Sequence, residues 1–166
     1  MLCSCAESGS TVRARGFGWP VVTGYVRLSA STTNQGKEPI IMPVGFGQVV
    51  IDSLRADDIA AFWSALLERP IGDGANQFFA MIPASEDGAF PALMFLAVPE
   101  PRQGKNRLHL DLVADDLAAE VERAVTLGAT NVADFDEYGA TWTTLTDPEG
   151  NIFDIGLRHD TKPASG

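Results

Sequence analysis

The chain has 166 residues, 45% of them apolar and 8% aromatic, and a formal net charge of −10, a composition that describes a globular domain able to bury a core. The excess of carboxylates excludes a nucleic-acid surface, whose phosphates it would repel. The longest apolar run, Ala92 to Val98, is far too short to span a bilayer, which excludes a helical membrane segment.

The first 41 residues differ from the rest of the chain. They carry four basic and two acidic side chains, whereas the remainder carries eight basic and 20 acidic ones. They are rich in Ser, Gly and Thr and end in the breaker Gly36-Lys37-Glu38-Pro39. Val21 to Ala30 has some strand character without an evident partner. Cys3-Ser4-Cys5 lacks the second pair of ligands a zinc site needs, and no apolar stretch of signal-peptide length comes after Arg13 and Arg15. The segment reads as a disordered or non-native N-terminal extension, with Met42 as an alternative start. Both cysteines lie in it, so the domain expected over residues 42–160 has no thiol chemistry, which fits a cytoplasmic location. Residues 161–166 read as a tail.

The pattern becomes regular after Phe46. Gln48 to Asp52 predicts a strand. Ala56-Asp57-Asp58 then predicts a capped helix to Leu67, with Ile59, Phe62, Trp63, Leu66 and Leu67 on one face. Phe78 to Ile82 and Ala92 to Val98 predict strands, the second apolar enough to be buried on both sides. After the linker from Pro99 to Gly104 the series repeats. Arg107 to Val113 predicts a strand in which Leu108, Leu110 and Leu112 face a core while His109 and Asp111 share the other face. Asp115-Asp116 predicts the cap of a helix through Leu127, stopped by Gly128. Thr130 to Phe135, Trp142 to Thr146 and Ile152 to Leu157 predict three more strands, with Asp147-Pro148-Glu149-Gly150-Asn151 as a tight turn before the last. The word Ala-Asp-Asp-Ile-Ala-Ala at residues 56–61 returns as Ala-Asp-Asp-Leu-Ala-Ala at 114–119, which suggests an internal duplication.

Val49-Val50-Ile51-Asp52, Phe62-Trp63, Lys105-Asn106-Arg107-Leu108-His109-Leu110-Asp111-Leu112, Leu127-Gly128-Ala129 and Asp147-Pro148-Glu149-Gly150-Asn151 together resemble the glyoxalase/bleomycin resistance/dioxygenase (vicinal oxygen chelate) superfamily, its glyoxalase-like subgroup above all. The resemblance implies an α+β fold of two βαβββ modules, forming a curled mixed sheet around a cavity with the helices outside. It also implies a divalent metal, Zn, Ni, Mn, Mg or Fe, held on the first and last strands of the modules. Position by position, Gln48, His109 and Asp154 fall on ligand positions, while the last strand of module one offers only the thioether of Met94. Alternation puts Gln48 with Val50, and Asp154 with Ile152 and Gly156, on faces opposite the stronger apolar stripes.

These residues support two readings. In the first, the domain binds a small molecule in a sheet-lined cavity without a complete metal site, using Gln48, His109, Asp111, Trp142 and Asp154. In the second, it is a metal-dependent enzyme of the lyase, isomerase or dioxygenase type, with Asp154 as the catalytic carboxylate. The expected partners are a small molecule and a second copy of the chain, as a homodimer, with neither nucleic acid nor membrane. Elsewhere, Trp63 reads as core, Asp147 as bonding its own turn, and His159 as surface.

Overall fold

A computed structural model describes residues 44–158, which fall within one compact unit, Met42–Gly166. The readings made for residues 1–41, for His159 and for the tail lie outside the described residues. Module one is built from β1 (Gln48–Ser53), α1 (Ala56–Leu67), β2 (Phe79–Ile82) and β3 (Ala92–Ala97). Module two is built from β4 (Asp111–Ala114), α2 (Leu117–Leu127), β5 (Thr130–Glu137), β6 (Ala140–Thr146) and β7 (Ile152–Leu157). None of the described helices is long and apolar enough to cross a membrane.

Each module folds its first strand parallel to its last, with α as the crossover, and adds the remaining strands antiparallel. The outcome is two mixed sheets, a three-stranded one in the order β1-β3-β2 and a four-stranded one in the order β4-β7-β6-β5. This corrects the expected single sheet curled around a cavity: β1 and β4 are both edge strands, and no ladder joins them. Two local causes are visible. Residues 68–77 of module one hold Pro70, Gly72, Gly74 and Asn76 and form turns instead of a further strand, because these residues favour turn conformations over a ladder. The strand expected from Arg107 also starts only at Asp111, because residues 107–110 bend away. Leu108, expected in the core, is consequently 69% exposed, whereas Leu110 and Leu112 do pack against the core.

The core lies between the helices and one face of each sheet. Ile59, Phe62, Trp63 and Leu66 from α1 meet Leu93 and Phe95 of β3 and Phe153 and Ile155 of β7 within one buried cluster. Rings from the two modules touch directly, with Trp63 5.1 Å and Phe62 6.1 Å from Phe153, edge to face. Full burial of side chains of this size contributes roughly 1.5–3 kcal/mol each.

The ends of α1 are finished by module two. Its N-cap, Arg55, makes no side-chain capping bond, and Asp57 and Asp58 sit inside the first turn instead of capping it. The Glu149 carboxylate accepts from the N–H groups of Leu54 (2.9 and 3.0 Å) and Arg55 (3.2 Å), the service a capping-box glutamate performs from within its own helix. At the other end, Arg123 of α2 donates to the carbonyls of Ala65 (3.1 Å) and Leu66 (2.8 Å), which have no partner inside the helix. A carboxylate at the N-terminus and a guanidinium at the C-terminus both complement the helix dipole. By contrast α2 carries its own cap, Asp116, which accepts from the Ala119 N–H. It ends on Gly128 at φ 117°, where an L side chain would be strained.

The duplication is real in topology but not in the shared word. Ala56 opens α1, whereas Ala114 closes β4, so the two copies of the word stand out of structural register. The interval from Gln48 to the start of α1 equals that from His109 to Leu117 at the start of α2. In that register, and from the pairings Val50 with Met94 and Asp111 with Asp154, Met94 occupies in module one the place that Asp154 holds in module two.

Candidate functional site

Three polar side chains converge where β4 meets β7. The parallel register sets Asp111 beside Asp154, and His109 precedes Asp111 on the same side. His109 Nε2 lies 3.2 Å from Asp111 Oδ1 and 3.6 Å from Asp154 Oδ2. Candidate ligand atoms of the three residues all lie within 4.8 Å of one another. Asp154 is the most sheltered, its side chain 18% exposed against 42% for His109 and 70% for Asp111. The Thr144 hydroxyl on β6 donates to Asp154 Oδ1 at 2.6 Å, which leaves Oδ2 as the oxygen on the His109 side.

The segment that carries His109 is fixed by a neighbour that the pattern of apolar residues does not reveal. Asn106 accepts from the Ile152 N–H (3.0 Å) and donates to the Ile152 carbonyl (3.1 Å). Its amide thus pairs with β7 as a strand residue would, just before the chain bends out through Arg107 and Leu108. Asn106→Ala is expected to destabilise the fold by about 1–2 kcal/mol, the cost of leaving a strand-end donor and acceptor unpaired. Chemical denaturation measures this. A loss below about 0.5 kcal/mol would mean that the two bonds do not hold the segment.

His109 also lines an open groove of about 590 Å³. Consecutive residues from Val49 to Leu54 form one wall. Because alternate residues of a strand point to opposite faces, an unbroken run of this kind presents the strand's edge. The segment from Val98 to Leu110 forms the other wall, and Asp147, Glu149 and Asn151 of the turn close the end. The groove therefore runs between the edge of β1 and the segment that leads into β4. Asp147, 2% exposed, accepts from the N–H groups of Glu149 and Asn151, from the Asn151 side chain and from the Trp63 indole. It shapes the turn and ties it to α1, as expected for the turn itself; the Trp63 bond was not readable in the sequence.

The other residues expected at the site lie apart from this cluster. Gln48 is on the exposed face of β1, and its amide points to Met94 Sδ at 3.5 Å. Gln48 with Met94 is thus the module-one counterpart of His109 with Asp154, with both ionisable groups replaced by neutral ones. Trp142 stacks on Phe135 at 5.0 Å and borders a second, shallower depression beside Leu117 and Val121, not the groove that His109 lines. The structure therefore joins His109 and Asp154 with Asp111, all within module two. One imidazole and two carboxylates suit a divalent ion in an open, oxygen-rich site, with positions left for water or ligand. The donor set is a candidate and is incomplete, because module one adds no anionic or imidazole ligand.

Paired βαβββ-like modules, with candidate donors on the first and last strands of one of them, define the glyoxalase/bleomycin resistance/dioxygenase class. Within it the chain belongs to the glyoxalase-like domain family, whose model matches residues 48–156. Solved structures agree on the fold. One is a glyoxalase/bleomycin resistance protein/dioxygenase family enzyme from Burkholderia phytofirmans PsJN, 20% identical, covering 67% of this chain and 96% of its own, at a TM-score of 0.56. Another is a fosfomycin resistance protein from Mesorhizobium loti, 11% identical, covering 72% and 97%, at 0.56. A third is a lactoylglutathione lyase from Agrobacterium tumefaciens, 16% identical, covering 69% and 94%, at 0.51. No curated protein matches the chain.

Proposed function

We propose that the domain over residues 42–160 binds a small organic molecule in the groove along β1, with His109 as its principal polar contact. The observation that supports this best is the position of His109. It is at once a wall of the groove and a member of the cluster with Asp111 and Asp154. An imidazole so placed can donate to or accept from a ligand while the carboxylates behind it orient the ring. Exposed apolar side chains along the same walls, Val50, Leu54 and Leu108, supply a surface for the ligand's carbon skeleton. Trp142 and Gln48 belong to this reading only through the open faces of their sheets.

A second reading rests on the grouping of three donors within 4.8 Å. A divalent ion held by His109, Asp111 and Asp154 would polarise ligand oxygens as a Lewis acid. On the protein side, His109 would orient a ligand entering from the groove, and Asp154, steadied by Thr144, would hold or move a proton at Oδ2. This is the metal-dependent enzyme of the lyase, isomerase or dioxygenase type.

The protein purified without a chelating tag separates the two. Metal analysis finding stoichiometric metal that His109→Ala loses would select the enzyme reading. Amide NMR shifts at groove residues on adding small aromatic probes, persisting after chelator treatment and weakened about tenfold or more in His109→Ala, would select the binding reading. Absence of both would overturn the proposal. The same reading takes the protein as a cytoplasmic homodimer. The free edge of β4 and the lack of cysteine from Met42 onward support it, and light scattering tests the dimer.

A further inference from the structure

We infer that the groove is built for an amphiphilic anion, a compact apolar body bearing one carboxylate or phosphate-type group received by Arg102 and Arg107. The inference rests on the groove's being the ligand site and adds the class of ligand. Both arginines line the groove, and neither forms an ion pair with a described residue, whereas Arg55, Arg123 and Arg158 each do. Both are exposed, so their guanidiniums are free to turn toward a ligand in the groove.

Four carboxylates also line the groove, so the arginines would receive an anion by direct contact and not through a net positive field. Asp147 and Glu149 are already engaged by N–H donors. Asp52 lies on β1, across the groove from the arginines, whereas Glu100 lies on their own wall just before Arg102. Arg102 lies over the turn of module two: its guanidinium comes within 3.4 Å of where a Cβ on Gly150 would stand. Gly150, at φ 84°, thus permits both the turn and the close approach. Arg107 follows Asn106, which is pinned to β7, and precedes His109. Arg107 therefore stands near the imidazole, on the same segment of the groove wall. A guanidinium offers a planar fork that matches an oxyanion. Val50, Leu54 and Leu108, between 48% and 69% exposed, cover the remainder with apolar surface that water alone would leave unused.

Amide NMR titration of the full chain with benzoate, benzamide and benzylammonium tests this, since the three share a ring and differ in charge. The expected result is binding of benzoate at groove residues, about tenfold or more tighter than benzamide, with benzylammonium weaker still, and a benzoate affinity that falls as salt is raised. Arg102→Gln and Arg107→Gln should each weaken benzoate about three- to tenfold and leave benzamide unchanged, and Arg→Lys at the same positions should restore part of the loss. Equal binding of benzoate and benzamide, or glutamine variants that bind benzoate as the parent does, would overturn the inference while leaving the groove as a ligand site. Absence of groove shifts with all three would overturn the inference and the small-molecule reading together.

Discussion

Asp147→Ala is expected to lower the unfolding free energy by about 3–5 kcal/mol, among the largest effects of any polar substitution in the chain. The carboxylate is buried and accepts two backbone N–H groups, at 3.0 and 2.8 Å, the Asn151 amide at 3.0 Å and the Trp63 indole at 3.3 Å. Alanine removes all four acceptor contacts and leaves the donors inside the protein without partners, which costs more than the bonds themselves contribute. Asp147→Asn is no rescue. Its amide can still accept on one side, but on the other it sets an NH₂ group against the Trp63 and Asn151 donors, so about half the loss or more should remain. Urea unfolding followed by tryptophan fluorescence measures both, and a loss under about 1 kcal/mol for the alanine would refute this account of the turn. The effect should reach the groove, because Glu149 and Asn151 line it and Glu149 reaches Leu54 and Arg55 only while the turn holds its shape.

Much of this architecture is legible in the residues. The helical spacing of Ile59, Phe62, Trp63 and Leu66 marks α1, and the helix spans the residues expected of it, Ala56–Leu67. Gly128 marks the end of α2 because only a left-handed residue lets the chain turn back there. Alternation places Asp154 and Gln48 opposite the buried stripes, and both lie there. What the sequence hides is contact across long separations. Glu149 serving α1 and Arg123 closing it are ordinary surface residues by composition, and nothing local distinguishes them. The bend at residues 107–110 is hidden for a related reason. Leu108 continues the alternation of Leu110 and Leu112, but whether a strand extends that far depends on a neighbour to pair with, and the edge of β1 does not supply one. The repeated Ala-Asp-Asp word misled in the other direction, because three polar and small residues suit a helix start and a strand end about equally. For the site, the sequence carries the residue types and their faces. The replacement of a second anionic half-site by Gln48 and Met94 becomes visible only once the register equates Met94 with Asp154.

Phe153→Ala should cost about 3–5 kcal/mol, the range for an aromatic side chain lost from a packed core. Phe153 is fully buried on β7, the strand that also carries Asp154, and its ring meets both Phe62 and Trp63 of module one. The resulting cavity would lie at the seam between modules, where neither module alone can collapse to fill it. Trp63 links this substitution to the one at Asp147, since its ring packs on Phe153 while its N–H reaches Asp147. The two losses should therefore be less than additive by about 0.5–2 kcal/mol when combined, because either one frees Trp63 from half of its constraint. Additivity would mean that the aromatic seam and the turn hold the modules independently. The coupled outcome bears on function as well as stability. His109 stands on a segment pinned to β7 by Asn106, and the opposite wall of the groove is the edge of β1. The width of the groove is then set by the same seam, and Phe153→Ala should weaken ligand binding even though the ring lies on the far face of the sheet from Asp154. Unchanged affinity in a destabilised but folded Phe153→Ala protein would separate the seam from the site.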